Sequence, residues 1–61
     1  MTFSAEQKRK AAEREVAMRK RVYPRWVADK RMSEHSANEG IAIMEAIAAD
    51  YAEKEKGERL L

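Results

Sequence analysis

Apolar positions in the first half of the chain fall at Ala5, Ala12, Val16, Tyr23 and Val27, with spacings of seven, four, seven and four. That rhythm places them on one face of an α-helix. Ser4 reads as an N-cap, and Gln7 three residues on completes a capping box. Good helix formers follow from Glu6 to Glu15. Pro24 lies inside the pattern, where it removes a backbone donor and crowds the carbonyl of Lys20. The periodicity continues past it to Trp26 and Val27, so the pattern predicts a kinked helix over about 4–29; the alternative is a break at Tyr23 followed by a short second helix. Ser33 reads as the next N-cap, with Met32 and Ala37 as a weak hydrophobic staple. A second helix is expected over about 33–56, with Gly57 as its C′ residue and 58–61 frayed. A turn of about three residues, 30–32, makes the helices antiparallel neighbours. The fold class read from this pattern is all-α, a single helical-hairpin domain.

In the second helix Ala37, Gly40, Ile41, Met44, Ile47, Ala48 and Tyr51 cover one wide face, with Ile43 at its edge. Ala42, Ala46 and Ala49 form a small-residue ridge on the opposite side. Between Gly40 and Ala49 the only charge is Glu45, too few for a helix with one wet face. One hairpin partner covers one side only. Alanine also favours exposed helix without any packing reason. The isoleucines and the short chain instead predict a second copy, giving a homodimeric four-helix bundle. Val16, Tyr23, Val27, Ile41, Ile43, Met44, Ile47 and Tyr51 would form its core and self-association surface.

Charge sharpens the pairing. Residues 1–31 carry ten Lys+Arg and four acids, +6; residues 32–61 carry three and seven, −4; the whole chain is +2. A basic helix thus folds onto an acidic one. Antiparallel pairing is expected to set Tyr23 near Gly40 and to join Arg19 to Glu45 as an ion pair.

Sixty-one residues allow one small domain. With no cysteine there is neither a disulfide nor a thiolate metal site, and one histidine makes no His cluster. Two glycines and one proline argue against a turn-rich β fold and a phosphate-cradling loop. His35 reads as a solvated or capping residue, Glu13 and Glu15 point apart, and no serine has a base with an orienting third group. No catalytic, cofactor-binding or metal-binding residue is therefore assigned, and a non-enzymatic protein is expected. The N-terminus has no apolar leader and no run reaches membrane-span length, which predicts a cytoplasmic protein without membrane contact.

Lys10, Arg14, Arg21 and Arg25 share the face opposite the apolar stripe, with no acid among them. Such a stripe could track a nucleic-acid backbone, gaining affinity by counterion release, or serve with Trp26 as the recognition surface for a protein partner. Basic runs are more often plain solvated surface, and no groove-reading module accompanies this one. Trp26, beside Tyr23 and Pro24, is a candidate interface anchor or a ring covering the hairpin end.

The runs Met18-Arg19-Lys20-Arg21-Val22-Tyr23-Pro24, Arg31-Met32-Ser33 and Ile43-Met44-Glu45-Ala46-Ile47-Ala48-Ala49-Asp50-Tyr51 resemble short uncharacterised proteins of proteobacterial phages and prophages. The resemblance implies a small phage accessory protein, a class that often binds and blocks a host protein, defence nucleases included. It implies no functional residue. The expectation is a homodimeric binding module, an inhibitor or modulator of a host protein; the alternative is a nucleic-acid-binding accessory protein.

Overall fold

The computed structural model describes residues 1–59. Two helices, α1 (Ala5–Ala28) and α2 (Glu34–Arg59), pack against each other as an antiparallel hairpin. Ser4 caps α1 as its sequence predicts: Gln7 N–H donates to the Ser4 hydroxyl at 3.1 Å, and Ser4 N–H donates to Gln7 Oε1 at 2.9 Å. The helix is continuous through Pro24, as the periodicity predicts, and the alternative of a break at Tyr23 does not occur. Ser33 caps α2, accepting from Ser36 N–H at 3.0 Å.

The turn uses a device that the sequence does not advertise. Lys30 adopts φ 61°, a left-handed conformation usually left to glycine. Lys30 N–H then donates to the Val27 carbonyl at 3.0 Å and Arg31 N–H to the Trp26 carbonyl at 2.9 Å, which is a Schellman closure. It satisfies two end carbonyls of α1 and reverses the chain within five residues, Asp29 to Ser33.

The predicted end of α2 is corrected. Gly57 is helical, with no positive φ, and α2 runs to Arg59. The cause is Glu55, which accepts from Arg59 Nη2 at 2.7 Å and ties the last turn together across the glycine. Of the four residues expected to fray, Glu58 and Arg59 lie in or at the end of this helix, and Leu60 and Leu61 fall outside the described residues.

Facing residues step in register. Tyr23 packs on Gly40, where an added methyl would stand 3.2 Å from its ring, so the expected neighbours do meet. Moving back along α1 brings Lys20 opposite Glu45 and Arg9 opposite Glu55. The interior between the helices is thin. Among the described residues the buried apolar side chains are Ala5, Ala12 and Ala37, and no large side chain is buried completely. Val16, Tyr23, Val27, Ile41, Met44, Ile47 and Tyr51 are all half-buried. The molecule is a rod of 48 × 20 × 17 Å with a radius of gyration of 14.1 Å, against roughly 10–11 Å for a compact chain of this length. Its accessible surface is 4907 Å², against roughly 4,100 Å² for a compact monomer of its mass.

Candidate functional site

An α-helix turns by about 100° per residue, so the inward positions decide which residues emerge on each side of the hairpin. With Ala5, Ala12, Val16 and Tyr23 directed at α2, the residues Glu13, Lys20 and Pro24 emerge on one side. Grooves confirm the matching partners from α2: one is lined by Glu13, Val16, Glu45 and Ala48, another by Tyr23, Pro24, Val27, Glu34, Asn38 and Ile41 among others. On this Lys20 side charges bridge the seam. Lys20 Nζ lies 3.7 Å from Glu45, and Arg9 reaches across to Glu55 while holding Glu13 at 2.6 Å.

The opposite side is different. Lys8, Met18, Val22 and Trp26 emerge there from α1, and Gly40, Ile43, Ile47, Tyr51 and Lys54 from α2; the Lys8 ammonium over the Tyr51 ring joins the two sets. The half towards the turn is apolar. Met18, Val22, Trp26 and Ile47 are half-buried and Ile43 is 51% exposed. Trp26 stacks on Tyr23 with ring centroids 5.6 Å apart. The half towards the termini is polar: Lys8 and Lys54 bracket Tyr51, and Glu15 accepts from Arg19 Nε at 2.9 Å.

The expected Arg19–Glu45 ion pair does not form. Arg19 instead donates to Glu15 and, through Nη1, to the Gly40 carbonyl at 2.8 Å. Gly40 has no side chain to shield its carbonyl, so the guanidinium reaches the α2 backbone directly, and its face also covers the Tyr23 ring at 5.7 Å. Glu45, turned to the other side, goes to Lys20.

The cross-helix bond that sequence reading missed is Arg9 to Glu55. Glu55 is the one buried charged residue among those described, 7% exposed, and it accepts from both Arg9 and Arg59. Its hydrogen bond raises the Arg9 pKa above its usual value, with the Glu13 charge adding to this against partial burial. The register would have found it: Arg9 lies fourteen residues before Tyr23, and Glu55 fifteen after Gly40.

Lys10, Arg14, Arg21 and Arg25 are all exposed along the outer edge of α1. Lys10 holds Glu6 at 3.0 Å, and this bond and charge depress the Glu6 pKa. Arg14, Arg21 and Arg25 form no ion pair within the described residues. Ala42, Ala46 and Ala49 are exposed along the outer edge of α2. His35 is 88% exposed by side chain and lies 3.2 Å from Glu39. Among the described residues no three His, Cys, Asp or Glu side chains come together as a metal site, and no helix is long and apolar enough to cross a membrane. No family model, curated protein or solved structure matches the chain.

Proposed function

We propose that this hairpin is a small non-enzymatic binding module that works as a homodimer and captures a protein through the basic edge of α1. The phage and prophage resemblance makes a host protein the proposed target, with the module its modulator or inhibitor. One observation carries the reading. Met18, Val22, Trp26, Ile43 and Ile47 lie half-buried or exposed on one side of the rod, while Arg14, Arg21 and Arg25, on its outer edge, form no ion pair among the described residues. The apolar side suits self-association, since a 61-residue chain gains the core it lacks by doubling. Lys10 and Arg21 lie on the part of the basic edge farther from that side and stay open, and arginine is well suited to bidentate capture of carboxylates.

The same three arginines favour a second reading, a nucleic-acid-binding accessory protein, because they recur along one edge at the spacing of a backbone tracker. A pull-down from bacterial lysate, with and without nuclease, separates the two. A protein captured equally in both arms, and lost with Lys10→Glu/Arg21→Glu, supports the first. Capture that vanishes with nuclease, together with a low-salt gel shift abolished by the same substitutions, supports the second and overturns the first.

A further inference from the structure

We infer that a second copy of this chain covers the Val22 side in one specific arrangement: a two-fold axis parallel to the helices, with α1 of each copy lying antiparallel over α2 of the other. The inference rests on the homodimer reading above and adds its geometry.

Area comes first. The broad face of the rod measures 48 × 20 Å, about 960 Å², enough for the roughly 800 Å² per partner of a stable interface. The surface in excess of a compact monomer has similar size. The Val22 side offers large apolar side chains from both helices, Met18, Val22 and Trp26 with Ile43 and Ile47, and no ion pair among the described residues crosses the seam there. The apolar groove of Tyr23, Pro24, Val27 and Ile41 on the Lys20 side is instead edged by Glu34 and Asn38 and continues into the Lys20–Glu45 pair. The alanine ridge carries no large apolar side chain.

Charge then selects the axis. Two hairpins laid face to face have two choices. An axis across the helices sets α1 on α1, two +6 halves together, and α2 on α2, two −4 halves together. An axis along the helices sets each +6 half on a −4 half. Like-charge juxtaposition is costly, so the second choice wins. The register agrees with it. Rotation about an axis along the helices leaves heights unchanged, so each α1 residue meets the second copy's α2 at the height of its own hairpin neighbour. Val22 and Met18 then fall over the second copy's Ile43 and Ile47. Arg25 falls beside the second copy's Glu39, and Arg14 beside its Asp50. These four charges flank the apolar strip on its rims, and neither arginine nor Asp50 has an ion-pair partner within the described residues. Glu39 has only the exposed His35.

The test uses sedimentation equilibrium on the full chain, with circular dichroism to verify helix content. The parent should be a dimer. Arg25→Glu and Glu39→Arg should each weaken it by roughly tenfold or more, and their equimolar mixture should recover parental affinity as a heterodimer, since both rim contacts are then attractive. The chain has no cysteine, so a covalent check is clean. Val22→Cys mixed with Ile43→Cys should oxidise to a mixed disulfide dimer far faster than Val22→Cys alone. A parental dimer without rescue in the mixture, or with Val22→Cys coupling to itself as readily, overturns the arrangement and leaves the homodimer standing. A helical parent that stays monomeric at millimolar concentration overturns the homodimer and this arrangement together.

Discussion

The two long sides of the hairpin are built from the same two helices, yet they differ in kind. On the Lys20 side charged residues emerge beside the seam and meet across it, so Arg9–Glu55 and Lys20–Glu45 close it with polar groups that water tolerates. On the Val22 side the half towards the turn carries Met18, Val22, Trp26, Ile43 and Ile47, with no ion pair among the described residues crossing the seam there. The asymmetry shows one side bridged by charge within the chain and the other left apolar, which is the basis of the dimer proposed above.

Substitutions that break the comparison rank by the side they touch. The largest effect is expected from Ile43→Asp. The residue is half-exposed in the hairpin and covered in the proposed dimer, so the change should cost about 3 kcal/mol or more per dimer, once for each copy. Sedimentation should show a monomer, and the thermal midpoint should lose its dependence on protein concentration. A parental dimer in Ile43→Asp would mean that both sides are equally finished.

Next comes Glu55→Gln, which leaves the Val22 side alone. It removes the charge that holds Arg9 and Arg59 at a buried position. A fall of roughly 5–10 °C in thermal midpoint is expected, with loss of helix in the last turn of α2. Lys30→Gly touches neither side and calibrates the scale. It relieves a left-handed lysine in the turn and should stabilise the chain by about 1 kcal/mol in urea titration.

Smaller still is Lys20→Ala. The ion pair with Glu45 spans 3.7 Å between side chains 57% and 52% exposed, so about 0.5 kcal/mol or less is expected, vanishing in high salt. The smallest effect sits at Glu6. Lys10 depresses its pKa below the ordinary value of 4.5, so its contribution is present above that value and lost as pH falls through the lowered one. Glu6→Gln should therefore lower stability slightly at neutral pH, with the difference from the parent disappearing as pH falls through the lowered pKa, so that the acid limb of the variant is slightly flatter.

Much of this was legible in the residues themselves. The capping box at Ser4, the cap at Ser33, both helices to within a few residues, and the Tyr23–Gly40 meeting all follow from local pattern and a short turn. The Arg19–Glu45 pair was wrong because height along the rod was read without side. Arg19 emerges near the seam where Gly40 bares its carbonyl, while Glu45 emerges on the Lys20 side. Gly57 misled because glycine ends helices only when nothing spans it, and Glu55–Arg59 spans it here. Met18 and Val22 were passed over because the apolar stripe was drawn through the inward positions Val16, Tyr23 and Val27.

What the chain determined alone was its helices, their ends at serine caps, and a +6 half facing a −4 half. These are properties of neighbours within a turn, or of bulk charge, and need no third dimension. Which apolar residues found shelter and which stayed open was decided only by tertiary structure. That choice depends on how far each helix is rotated about its own axis, and the rotation is set by contacts between residues far apart in sequence, with Tyr23 on Gly40 and Arg9 on Glu55 among them.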